Sequence, residues 1–64
     1  NFVNLSTQTE GVLHVYDMNG RRVLSQTLNG KAQLDLSRFN AGVYLFQFRE
    51  TGGKVHLQRL LLNK

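Results

Sequence analysis

The sequence predicts an antiparallel, all-β domain. Three observations predict this class: apolar and polar residues alternate with a period of two, β-branched and aromatic residues concentrate in those runs, and turn-forming residues separate them. Such runs are typical of strands joined by tight turns. The pattern predicts six strands, at residues 2–6, 12–16, 21–28, 31–36, 43–48 and 54–62.

Two Asn-Gly pairs separate the second, third and fourth predicted strands. Leu13 and Val15 share one face of the strand at residues 12–16. Asn19-Gly20 and Asn29-Gly30 follow apolar runs, and both residue types tolerate the positive φ of a type I′ hairpin turn. Two hairpins in series predict a meander, in which the strands at 12–16, 21–28 and 31–36 pair in order.

Residues 37–42 interrupt the alternation. Ser37 is a residue type that caps a helical turn, and Gly42 is one that ends it with a positive φ. We expect a single helical turn here, with Phe39 entering the core.

The run at residues 43–48 is the most apolar in the chain. Tyr44, Phe46 and Phe48 share one face, and Val43 and Leu45 share the other. A strand that is apolar on both faces is typical of the interior of a sheet.

The run at residues 54–62 has two interpretations. Val55 and Leu57 alternate as in a strand, but Leu60, Leu61 and Leu62 do not, so a strand would require a bulge near Gln58-Arg59. A helix is the alternative, because several apolar residues also fall at helical spacing. The length of the run and the preceding Gly52-Gly53 turn favour the strand.

Composition limits the chain to one small domain with one small core. It has 64 residues, of which 41% are hydrophobic, and neither cysteine nor proline. No apolar run approaches the length of a membrane helix, and the absence of a starting methionine or leader suggests a fragment of a larger protein. The net charge is +4, but the basic residues are dispersed, which argues against a nucleic-acid surface.

No residue cluster predicts catalysis, a metal site or a cofactor. His14 and His56 have no metal-ligand spacing, and Asp17 with Asn19 falls well short of the oxygens that calcium requires. Asp17 is expected to bond turn amides instead. Asp35 with Glu10 or Glu50 would need a cleft that so small a domain rarely forms. We therefore predict that the domain is not an enzyme.

Four segments in order carry a resemblance to a known family: residues 15–23 (VYDMNGRRV), 34–37 (LDLS), 39–46 (FNAGVYLF) and the basic, apolar ending. Together they resemble the type A C-terminal sorting domain of the type IX (Por) secretion system. The resemblance covers nearly the whole chain. It implies a small immunoglobulin-like antiparallel β-sandwich of six to seven strands, at the C-terminus of proteins exported by Bacteroidetes-type bacteria.

The implied function is a secretion signal. Such a domain directs an N-terminal cargo in the same chain through the periplasm to the outer membrane surface or the extracellular space. Its implied partners are the type IX translocon and a sortase-like enzyme, without nucleic acid, cofactor or membrane insertion. Residues 1–64 are then one sorting domain of a larger secreted protein. The alternative is an accessory β-sandwich that binds glycan or spaces the domains of a secreted enzyme.

The resemblance also implies which residues the secretion machinery recognises. They lie in the first hairpin, in the apolar strand and at the end of the chain: Asp17, Gly20, Gly42, Tyr44, Leu60, Leu61, Leu62 and Lys64. Independently of the resemblance, an exposed final strand can accept a strand from another chain. We therefore also expect dimers through edge strands in the isolated domain.

Overall fold

The computed structural model of the chain describes residues 2–63, and these form two antiparallel sheets. Strands β1 and β4 form a two-stranded sheet, and a four-stranded sheet has the order β3-β2-β5-β6. The described residues contain no helix. The bounds are β1 Phe2–Ser6, β2 Gly11–Tyr16, β3 Arg22–Leu28, β4 Lys31–Asp35, β5 Gly42–Glu50 and β6 Val55–Leu62.

The all-β prediction and the six strands are confirmed, with ends that differ by one or two residues in most cases. The two sheets enclose a single core, and every strand except β1 contributes at least one buried residue to it. The buried residues are Leu13, Val15, Leu28, Leu34, Leu36, Tyr44, Phe46 and Leu62. The arrangement is compatible with the expected sandwich.

Strand β5 lies inside the four-stranded sheet, as its composition predicts. It pairs with β2 on one side and β6 on the other. Tyr44 and Phe46 are buried between the sheets, whereas Leu45 on the opposite face is 40% exposed. Apolar character on both faces therefore marked an inner strand correctly, although only one of its faces is covered.

The predicted meander is wrong. β4 pairs with β1, from Phe2↔Asp35 to Ser6↔Lys31, and not with β3. The amide of Thr7 donates to the Gly30 carbonyl at 2.8 Å, which fastens the turn to the end of β1. Asn29-Gly30 reverses the chain but carries it into the other sheet, where Leu34 can cover the core.

The predicted type I′ turns are also wrong. Gly20 and Gly30 have φ values of 80° and 92°, but no described residue other than glycine has a positive φ, and a type I′ turn requires two. In the first hairpin, the Gly20 amide donates to the Asp17 carbonyl at 3.0 Å. This geometry suits a three-residue loop in which only the last position is left-handed.

Residues 37–42 form a turn and not the expected helical one. The Ser37 amide donates to Asp35 Oδ1 at 2.9 Å, and the Phe39 amide donates to the Leu36 carbonyl. An aspartate that bonds a backbone amide two residues ahead offers the chain an alternative to a helix. Phe39 is half-buried and stacks on Tyr44, with ring centroids 5.3 Å apart.

Strand β6 is regular, so the predicted bulge at Gln58-Arg59 and the helical alternative are both wrong. Its register with β5 runs without interruption from Gly42↔Leu62 to Arg49↔Val55. The irregularity lies instead between β2 and β3, next to Val15 and Tyr16. Within residues 2–63 no helix is long and apolar enough to cross a membrane.

We predict that Gly11→Ala destabilises the fold by about 1–3 kcal/mol, the usual cost of overpacking a core. A β-carbon at Gly11 would lie 2.4 Å from the Arg49 carbonyl oxygen and 2.6 Å from Phe48 Cζ. Urea unfolding would measure the change. Gly52→Ala is the matched control, because nothing lies within 4 Å of its added carbon. Equal stability of the two variants would contradict this packing.

The Asp35 carboxylate is predicted to make stability depend on pH. The hydrogen bond from the Ser37 amide holds the pKa of Asp35 below its usual value. Its contribution is therefore present above about pH 4 and is lost as the pH falls through the folded-state pKa. Asp35→Asn keeps the acceptor oxygen but removes the charge, so its free energy of unfolding should fall less on acidification. Identical acid-induced losses in the variant and the parent would refute this.

Candidate functional site

Two segments that are far apart in sequence meet at one end of the four-stranded sheet. The loop between β2 and β3 and the start of β5 line one shallow depression. Asp17, Gly42 and Tyr44, three of the residues singled out from sequence, are among its lining residues. Gly20 lies in the same loop, and the end of β6 pairs with Gly42–Tyr44. Lys64 lies outside the described residues.

Asp17 organises the β2–β3 loop. Its Oδ1 accepts hydrogen bonds from the amides of Asn19 and Arg21, each at 2.9 Å, and its Oδ2 lies 3.3 Å from Arg21 Nε. The hydrogen bond from the Arg21 amide is the main reason that the pKa of Asp17 is lowered. The expectation that Asp17 bonds turn amides is confirmed, and this explains its position before a loop that ends in glycine.

Tyr44 connects β5 to the segment before it. Its ring is buried, and its hydroxyl donates to the Asn40 carbonyl at 2.7 Å. Gly42 lies between them with φ 151°, a value that L side chains rarely adopt. The residues Gly42 and Tyr44 therefore fix the direction in which the chain enters β5.

The three leucines at the end of β6 do not share one environment. Leu62 is buried in the core, Leu60 is half-buried, and Leu61 is 61% exposed on the other face. This difference follows from the regular strand, in which successive side chains point to opposite faces. Of the three, only Leu61 presents most of its side chain to solvent.

Strand β6 is an edge strand, and within residues 2–63 its one neighbour is β5. The Glu50 amide donates to the Lys54 carbonyl at 2.8 Å, so the even-numbered residues of β6 direct their backbone groups toward β5. The alternation of an antiparallel ladder then directs those of Val55, Leu57, Arg59 and Leu61 toward the open edge.

The same four residues also belong to the outer face of the four-stranded sheet, the face directed away from the core. Paired residues share a face, so the register assigns its members on β3 and β2, then on β5 and β6. They are Arg22, Ser25, Thr27, Val12, His14, Tyr16, Val43, Leu45, Gln47, Arg49, Val55, Leu57, Arg59 and Leu61. None of these residues is acidic.

Sequence reasoning missed the composition of this face. The expected bulge would have turned part of β6 inward, whereas the regular register leaves Leu57 62% exposed beside Gln47. The available signal was the strict alternation of Val55, Leu57, Arg59 and Leu61. If this alternation continues through Gln58 without a bulge, all four residues lie on the same face of the strand.

The inner face of the β5–β6 hairpin holds a hydrogen bond between a histidine and a carboxylate that the sequence did not suggest. His56 Nε2 pairs with Glu50 Oε2, and this hydrogen bond is the main cause of the lowered pKa of Glu50. His56 also stacks on Phe48, with centroids 6.2 Å apart. This hydrogen bond is exposed and links β5 to β6 near the turn that joins them. His14 lies elsewhere, on the outer face of β2.

No three metal-binding side chains converge within the described part of the chain. Asp35 bonds the Ser37 amide, and Glu50 pairs with His56, so each of these two carboxylates has a structural partner. What the site offers is an exposed strand edge and a flat apolar and basic face. These features suit the binding of another polypeptide.

Comparison with known proteins identifies the family. A family model described as the secretion system C-terminal sorting domain matches residues 1–63. Searches of curated proteins and of solved structures returned no match. Because the family model spans nearly the whole sequence, the chain belongs to the secretion system C-terminal sorting domains, which are sorting signals for type IX secretion.

Proposed function

We propose that this sorting domain is recognised through the open edge of β6, together with the loop and strand residues that hold that edge in place. Family membership carries the general function, a non-catalytic signal that interacts with the type IX machinery and exports an attached N-terminal cargo. The destination is the outer membrane surface or the extracellular space. The proposal concerns how the signal is presented.

The observation that carries the proposal is the exposed edge itself. The backbone groups of Val55, Leu57, Arg59 and Leu61 have no neighbouring strand, and β6 runs for eight residues without a bulge or proline. Native edges are commonly shortened, bulged or charged to prevent pairing. A long regular edge is suited to pairing with a strand of a receptor, which would gain main-chain hydrogen bonds.

The residues expected from the family resemblance have a supporting role in this proposal. Asp17 and Gly20 shape the β2–β3 loop, and Gly42 and Tyr44 fix the start of β5, which pairs with Leu60 and Leu62. Together they hold the last residue pairs of the ladder between β5 and β6. Leu61 and Lys64 are the proposed direct contacts from the end of the chain.

We further propose that residues 1–64 act as one domain that passes through the periplasm before reaching the translocon, and that a sortase-like component then acts on the exported protein. No nucleic acid and no membrane insertion are part of this route. An accessory glycan-binding or spacer role is the competing assignment, and no observation favours it.

Removal of the end of β6 is predicted to block export. A reporter fused ahead of the chain should reach the surface of a type IX-competent bacterium, and deletion of residues 60–64 should leave it in the periplasm. Because the deletion also removes buried Leu62, a second variant is needed. Leu57→Pro removes an edge-facing amide together with an exposed side chain and leaves the core residues in place, and a strand edge is a position that tolerates proline.

The matched control is Thr27→Pro, because the same ladder alternation directs the Thr27 amide to the open edge of β3. Circular dichroism would verify that both proline variants fold. Export should fail for Leu57→Pro and continue for Thr27→Pro. Normal surface delivery by the 60–64 deletion would refute the sorting assignment, and equal export of both proline variants would refute the role of the β6 edge.

The isolated domain is predicted to dimerise through the same edge. Two β6 strands can pair when no receptor strand is present, because unpaired backbone groups favour any complementary strand. Light scattering over a concentration series should show the mass rising toward that of a dimer, and Leu57→Pro should suppress the rise. A monomer at every concentration would contradict this prediction.

A further inference from the structure

We propose that the strand that docks on β6 presents an acidic residue between apolar ones, and that Arg59, flanked by Leu57 and Leu61, selects it. This inference rests on the proposed function, because it specifies the chemistry of the partner at the same edge. The partner is an extended polypeptide segment with alternating apolar and acidic residues on one face.

Exposed apolar area supports the location. Six large hydrophobic residues are exposed among the described residues, and four of them lie on the outer faces of β5 and β6. Register places Leu57 beside Gln47, Leu61 beside Val43, and Leu45 beside Arg59. Leu45 is therefore a diagonal neighbour of both Leu57 and Leu61, and these apolar side chains surround Arg59 at the open edge. Contiguous exposed patches of this kind commonly mark interaction sites.

Charge supports the acidic component. The outer face carries Arg22, Arg49 and Arg59 and no carboxylate. The carboxylates of Asp17 and Glu50 lie elsewhere, where they pair with Arg21 and His56. Of these three arginines, Arg59 alone lies on β6, and the described residues include no acidic neighbour on its face. An incoming carboxylate would complement it.

Strand geometry turns this complementarity into a sequence preference. A strand added to β6 hydrogen-bonds to the backbone of Leu57, Arg59 and Leu61, and residues directly opposite in a ladder have β-carbons about 4.5–5.5 Å apart. Opposite charges in such pairs are favourable and like charges are unfavourable. The preferred donor therefore has a Glu or Asp opposite Arg59 and apolar residues two positions away on either side.

A second copy of this chain is a poorer occupant than such a strand. Its β6 would bring another Arg59 to the same edge and no carboxylate. In an antiparallel pair with Leu57 opposite Arg59, the two guanidinium groups become diagonal neighbours, which are still within reach of long side chains. Self-association through β6 is therefore weaker than pairing with an acidic strand.

Binding of synthetic peptides to the purified chain tests the inference. Two nine-residue peptides would share an alternating Val and Thr sequence and differ only in a central Glu or Lys. Nuclear magnetic resonance titration should show at least about tenfold tighter binding of the Glu peptide, a difference of about 1.4 kcal/mol. The shifts should concentrate in β6, and Arg59→Glu should reverse the preference.

Arg22→Glu is the matched control, because Arg22 lies on the same face but on β3, at the far edge of the sheet. It should keep the preference for the Glu peptide. Equal affinity for both peptides, no binding of either, or shifts centred on β3 or β1 would overturn the inference. Binding of the chain to phosphatidylglycerol vesicles, together with equal affinity for the two peptides, would also overturn the inference and would indicate a lipid-binding surface.

An export measurement separates this inference from the proposed function. Arg59→Glu should reduce surface delivery of the reporter at least tenfold, and Arg59→Lys, which keeps the charge, should reduce it less. Failure of the parent fusion to be exported would refute the proposed function. Export of the parent and of Arg59→Glu at equal levels would overturn the inference and leave the function standing.

Discussion

The uninterrupted register between β5 and β6 is the constraint on which the rest of the structure depends. It runs from Gly42↔Leu62 to Arg49↔Val55. It therefore decides, for each residue of β6, whether the side chain lies on the inner or the outer face of the sheet. A shift of one residue would exchange the two faces. Leu62 would leave the core and Leu61 would replace it, so the burial of Leu62 at one end helps to maintain the register along the whole strand. The same register leaves the second edge of β6 open.

One strand, β6, therefore both contributes to the small core and leaves an open edge. Two strands in one sheet and four in the other give unequal layers, and the middle of β6 is exposed on both faces. A domain of this size buries a limited share of its surface. Strands β2 and β5 contribute four of the eight buried residues, and β6 contributes Leu62 alone. The Asp17 loop and the Gly42–Tyr44 segment hold the end of that outer strand without closing its edge.

The sequence predicts the parts of the fold that depend on local patterning. Alternation located all six strands, and the apolar composition of residues 43–48 identified the inner strand. Pairing was harder to predict, because Asn29-Gly30 signals a reversal of the chain but not the sheet that the next strand joins. The bulge was predicted wrongly because three successive leucines suggest that all should be buried. The structure leaves Leu61 exposed instead. Leu61 lies on the face that we propose to bind a partner, and a rule based on core formation cannot predict its exposure.

Amide hydrogen exchange along β6, followed residue by residue in the isolated, monomeric chain, tests the central claim most directly. If β6 pairs with β5 in this register and has an open outer edge, protection should alternate. The amides of His56, Gln58 and Leu60 should exchange slowly, and those of Leu57, Arg59 and Leu61 should exchange quickly. Uniform protection along the strand, or protection of the odd-numbered residues, would contradict the account.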